Sequence, residues 1–130
     1  MKLRIQGNSI RYRLSRKDLE QFKNKGYVEE TTDFGNRTFT YALNRVSDNT
    51  ELYADFSDGL MMVHVPDEMA DNWIGTDLVG MEYNQDIDGY KKIHLLIEKD
   101  FKCLGKEGQE DQSDNFENPN SVCWANLIKN

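Results

Sequence analysis

The side chains best equipped for chemistry crowd the last quarter of the chain, in KCLGKEGQEDQSDNFENPNSVCW at positions 102–124. Cys103 and Cys123 are soft metal ligands; Glu107, Glu110, Asp111, Asp114 and Glu117 are hard ones. Zinc takes closely arranged N, S and O donors, usually from local pairs such as CxxC. Here the thiols stand twenty residues apart, so the fold would have to assemble the site, and His64 and His94 would complete a Cys2His2 set. For calcium, DQSDNFENPNSV can be laid on the EF-hand loop. It offers Asp111, Ser113 and Asn115 as the first three ligands. It then fails at Phe116, where the loop needs Gly, and at Val122, where it needs Glu. A looser carboxylate site for calcium or magnesium is the form left open. The metal reading therefore names Cys103, Glu110, Asp111, Asp114 and Cys123, with a divalent cation as cofactor.

A thiol enzyme needs a depressed cysteine pKa and a nearby base. Lys99, Lys102 and Lys106 around Cys103 favour thiolate, yet no histidine follows locally. GxSxG, P-loop, dinucleotide-fold and HExxH patterns are all missing. No catalytic residue is assigned. The simpler reading of the segment is structural, with Phe101, Leu104, Phe116, Val122, Trp124, Leu127 and Ile128 pinning a loop at several points. Burying Phe116 and Trp124 would contribute about 2–3 kcal/mol each. Only several such anchors together offset the entropy of ordering the loop.

A second constellation lies near the start. In KLRIQGNSIRYRL, strand alternation turns Leu3, Ile5, Ile10, Tyr12 and Leu14 inward and Lys2, Arg4, Arg11 and Arg13 outward together. Arg4, Arg11 and Arg13 are thus candidate binding residues for an anionic partner, nucleic acid included. The matching outward positions further on are Asp55, Met62 and His64, which breaks any symmetric DNA-binding surface. Charge argues the same way. Residues 1–49 hold ten Lys/Arg against six Asp/Glu, and residues 50–130 hold six against seventeen, for a net charge of -7. Such a chain has no long-range attraction for nucleic acid. The asymmetry also suits pairing in cis between the basic face and the acidic C-terminal segment.

The elements that must position these groups come in two similar runs. KLRIQGNSIRYRLSRKDLEQFKNKGYVEE aligns without a gap, at an offset of 51, with YADFSDGLMMVHVPDEMADNWIGTDLVGM. Ile10 falls on Met61, Tyr12 on Val63, Phe22 on Trp73 and Val28 on Val79. In each run two alternating strands flank a turn, Gly7-Asn8 or Ser57–Gly59. A helix follows. Ser15 with Asp18 resembles a capping box, and Pro66 with Asp67 and Glu68 suits a first helical turn. Gly26 and Gly75 mark the helix ends, and two more strands close each run.

The expected fold is α+β, mostly antiparallel β. Duplicated β-β-α-β-β halves, 1–49 and 50–99, form a pseudo-twofold barrel, and an irregular C-terminal segment, 100–130, completes a single domain. At 130 residues and 38% hydrophobic the chain is long enough for one core. It carries no apolar signal region and no run long enough for a membrane span. A cytoplasmic protein with reduced thiols is expected.

This element order, with GNSIRYRLSRKDLEQF, resembles the swapped-hairpin barrels of AbrB- and MazE-like transcription factors, although Ser15-Arg16 departs from their usual Pro. The resemblance implies a barrel whose arginines contact DNA. Over nearly its whole length the chain also resembles a family of small uncharacterised bacterial proteins, through GNSIRYRLS, VEETTDFG and IEKDFKCL. That likeness implies no activity. The expected function is a small binding or interaction protein, monomeric or homodimeric, for an unknown protein or small ligand. A metal-dependent protein is the first alternative and a nucleic-acid binder the second.

Overall fold

The computed structural model describes residues 1–48 and 50–101, and Met1–Asp100 form one compact unit. Elements run β1 (Lys2–Gln6), β2 (Ser9–Leu14), α1 (Arg16–Lys25), β3 (Tyr27–Asp33), β4 (Thr38–Val46), β5 (Tyr53–Ser57), β6 (Leu60–Pro66), α2 (Asp67–Gly75), β7 (Gly80–Asp86) and β8 (Lys92–Lys99). The order β-β-α-β-β thus occurs twice, and the α+β class holds.

Local chemistry accounts for each boundary. Gly7 turns β1 into β2 at φ 55°. Ser15 caps α1 as expected: its hydroxyl accepts from the Asp18 N–H, and the Asp18 carboxylate accepts from the Ser15 N–H. Gly26 ends the helix in the left-handed conformation, donating its N–H to the Phe22 carbonyl. At α2 the expectation shifts by one place. Pro66 is the N-cap, not a first-turn residue, and makes no side-chain cap bond; Gly75 is the last helical residue and Thr76 the C-cap.

The strands form two four-stranded mixed sheets. The first has the order β1-β2-β8-β7 and the second β3-β4-β6-β5. Each joins two antiparallel hairpins through one parallel central pair, β2 with β8 and β4 with β6. In the first sheet Ile10 pairs with Leu95, and in the second Met61 pairs with Tyr41. Val28 pairs with Leu43, and Met81 with Ile97. So Val28 corresponds to Met81, not to the expected Val79. Two extra residues between α2 and β7 absorb the difference, and Val79 is exposed.

The core lies between the inner faces of the sheets. Tyr12, Leu14, Leu95 and Ile97 of the first meet Val28, Leu43, Val63 and Val65 of the second, with Phe22 and Trp73 from the helices. Tyr12 is fully buried, sets its ring 5.7 Å from Tyr41, and donates its hydroxyl to the Met61 carbonyl.

The expected barrel does not form. In a closed barrel the sheet edges join through backbone ladders. Here β5 and β7 meet instead through one side chain: the Gln85 amide accepts from the Ala54 N–H and donates to its carbonyl. Ile5, expected inside, is 55% exposed: it lies on the edge strand β1, beside the turn at Gly7-Asn8, while its partner Ile10 on the next strand is buried. Among the described residues no helix is long and apolar enough to cross a membrane.

Candidate functional site on the outer face of the first sheet

Alternation that buries Ile10, Tyr12 and Leu14 sends Ser9, Arg11 and Arg13 of β2 to the outer face. The same rule places Lys2 and Arg4 of β1, His94 and Glu98 of β8, and Glu82 of β7 beside them. Three expected binding residues, Arg4, Arg11 and Arg13, are therefore brought together. In the antiparallel register Lys2 lies directly opposite Arg13, and Arg4 directly opposite Arg11. Like charges directly opposed across a ladder destabilise it. Glu98 compensates in part, 2.7 Å from Arg13 Nε and 3.6 Å from Arg11 Nε, while Asp100 takes Lys2 Nζ at 2.9 Å. Glu98 and Asp100 are thus among the cis partners of this face. The expected pairing with 102–124 lies outside the described residues.

A polar chain borders the cations. Asn8 ties the first turn to the start of β8: its side-chain amide donates to the Lys92 carbonyl, and its own carbonyl accepts from the His94 N–H. This fixes Ser9 beside His94, and Ser9 Oγ lies 3.2 Å from His94 Nδ1. On the other side of the ring Nε2 is 2.6 Å from Glu82 Oε2. The second sheet carries a related arrangement on its outer face. His64 Nε2 is 3.1 Å from Asp55 Oδ2, its Nδ1 is 3.4 Å from the Asn44 side-chain nitrogen, and Tyr53 stacks on the ring.

The chain belongs to a family of unknown function, DUF7009. The family model matches residues 1–120. No curated protein and no solved structure matches the chain. Membership in DUF7009 therefore names no reaction and no ligand.

The metal expectation divides in two. Cys103, Glu110, Asp111, Asp114 and Cys123 lie outside the described residues. His64 and His94 lie within them, on the outer faces of opposed sheets, each engaged with its own carboxylate. Facing away from each other, they cannot join one Cys2His2 set. Among the described residues no group of three or more His, Cys, Asp or Glu is placed to hold a metal.

The Ser9–His94–Glu82 chain was not anticipated from sequence, where His94 enters only as a possible member of a Cys2His2 set. Its one signal is that Ser9 and His94 both fall on outward positions of alternating strands. Their adjacency depends on a parallel pairing between strands 85 residues apart.

Proposed function

We propose that this chain is a small binding protein built from two copies of one β-β-α-β-β unit, and that the basic face formed by Lys2, Arg4, Arg11 and Arg13 docks an acidic patch on a partner protein. The like-charge pairs Lys2–Arg13 and Arg4–Arg11 carry this reading. Like charges opposed across a strand pair are unfavourable, the carboxylates of Glu98 and Asp100 offset this locally, and an anionic surface laid across the face adds further favourable pairing. The corresponding positions on the second sheet, where Tyr53 faces His64 and Asp55 faces Met62, hold no such pair.

A protein patch fits better than nucleic acid. Glu98 sits between Arg11 and Arg13, and Glu82 borders His94, so a continuous phosphate backbone would meet carboxylates on the same face. A mixed acidic patch can interleave with them.

Duplication is supported by the strand orders, since exchanging β1–β4 with β5–β8 turns one sheet order into the other. Phe22 and Trp73, which occupy corresponding places in the two helices, also touch each other at 6.3 Å. The same reading keeps 1–49 and 50–99 as halves of one domain with 100–130 added. It takes the protein to be bacterial and cytoplasmic.

Fluorescence anisotropy at low salt, with a Glu/Asp-rich peptide and a DNA oligonucleotide as separate probes, tests the binding face. The peptide should bind in a salt-dependent way, and Arg4→Ala/Arg11→Ala should weaken it about tenfold, the sum of two exposed charge contacts. Tighter binding of the DNA would favour the nucleic-acid alternative. Binding of neither probe would remove the proposal.

A further inference from the structure

The polar chain beside the basic face has an order of groups that binding does not require. We propose that Ser9 is a nucleophile, His94 its general base and Glu82 the positioning residue, and that they act on small acyl esters carrying an anionic group. The assignment rests on geometry. A hydroxyl within about 2.6–3.2 Å of a base, which is itself oriented by a third group, is the arrangement that activates a serine. Ser9, His94 and Glu82 meet it at 3.2 and 2.6 Å. A carboxylate only accepts hydrogen bonds, so Glu82 places the ring proton on Nε2 and leaves the Nδ1 lone pair facing the Ser9 hydroxyl.

The surroundings hold this geometry and leave it accessible. Ser9 follows the Gly7-Asn8 turn, and that turn is bonded to β8 at both Lys92 and His94. Ser9 is partly exposed and the His94 side chain remains 35% exposed, so an ester can approach the pair from solvent. Arg11 lies two residues beyond Ser9 on the same face, with Arg4 directly across from it. These cations select a substrate bearing a carboxylate or phosphate. The second sheet supplies an internal contrast: His64 has its carboxylate, Asp55, but the group at its Nδ1 is the Asn44 amide, which is no nucleophile.

Ser9 Oγ attacks the acyl carbon as its proton passes to His94 Nδ1. The carbon–oxygen bond to the leaving group breaks, and the alcohol departs with that proton. Water then attacks the acyl-Ser9 ester, giving a proton to His94 Nδ1. Ser9 Oγ leaves and recovers the proton, and the acid is released. The balance is ester plus water to acid plus alcohol, with no oxidant or further reactant. The imidazolium formed in each half is stabilised by Glu82 at Nε2.

A fluorophosphonate probe tests the nucleophile, with fluoride as leaving group and the adduct located by peptide mass spectrometry of the full chain. Ser9 should be labelled ahead of Ser15, Ser47 and Ser57. His94→Gln should slow labelling about 100-fold, the usual scale of a lost general base. Glu82→Gln should slow it while Glu82→Asp restores most of the rate, and His64→Gln should leave it unchanged. Ser9→Ala should abolish turnover of nitrophenyl hemisuccinate, which the parent protein should prefer to nitrophenyl acetate. The proposal is overturned if Ser9 is labelled no faster than the other serines, if His94→Gln labels at the parent rate, or if turnover survives Ser9→Ala. The serine comparison uses the parent protein, so the test stands even where a variant fails to fold.

Discussion

Asp18 shows how much one side chain can organise. Its Oδ2 accepts from the Ser15 N–H at 3.0 Å, the Ser15 hydroxyl at 2.9 Å and the Met1 ammonium at 2.8 Å. Burial works against its ionisation, but these donors outweigh burial and hold the carboxyl below its usual range. A carboxylate with a lowered folded-state pKa adds stability that is complete above its ordinary value, about 3.9, and is lost as pH falls through the folded value. Thermal melts across the acid range should therefore show a steeper loss for the parent protein than for Asp18→Asn, which has no such proton to take up. Ser15→Ala removes the reciprocal half of the cap and should cost about 1 kcal/mol in denaturant unfolding. Tyr12 is a different case. Burial pushes its phenol well above the ordinary tyrosine value, so it stays a neutral donor to the Met61 carbonyl. Tyr12→Phe should then cost about 1 kcal/mol, the net worth of one hydrogen bond.

At the scale of elements, the helices are held by apolar contact, with ion pairs as minor ties. Phe22 and Trp73 are fully buried, meet edge to face, and Trp73 donates its indole N–H to the Val79 carbonyl. Trp73→Ala leaves a large cavity, while the Val79 carbonyl keeps its bond from the Lys99 N–H, and should destabilise by about 3–5 kcal/mol. Arg45 of β4 reaches Asp67 and Asp71 of α2 at 2.5 and 2.7 Å. Both carboxylates are about half exposed or more, so Arg45→Met should cost less than about 1 kcal/mol, and salt should shrink the difference. A comparison of Tm for the two variants checks that ranking. Boundaries at this scale were largely readable in the sequence. Ser15, Asp18 and Gly26 act on their own neighbours, and their chemistry needs no distant partner. The start of α2 was less so, because proline fits both the N-cap and the first turn by its backbone angle alone. The offset of Val28 was misread because alternation reports which face a residue takes, and a two-residue insertion leaves the face unchanged.

For the whole molecule, stability and binding should pull in opposite directions on the outer face of the first sheet. Arg11→Thr removes a cation directly opposed by Arg4 and substitutes a residue suited to strands, gains that outweigh its long 3.6 Å contact to Glu98, which Arg13 keeps at 2.7 Å. It should raise stability by a few tenths of a kcal/mol while weakening the acidic-peptide complex, as paired melts and anisotropy titrations on one variant would reveal. A rise in both quantities would separate the like-charge pairs from function. The basic face itself was legible, since Lys2, Arg4, Arg11 and Arg13 fall on alternate positions of two short strands. Alternation and capping chemistry are local, so strands, helices, turns, that face and the inward residues other than Ile5 follow from the order of amino acids. The pairing of β2 with β8 and of β4 with β6 does not. It is decided by which apolar faces can cover each other in three dimensions, at sequence separations that no local pattern records. That pairing puts Glu98 between two arginines and sets His94 beside Ser9. It also leaves the sheets as an open sandwich, because β5 and β7 meet through the Gln85 side chain and not through a backbone ladder.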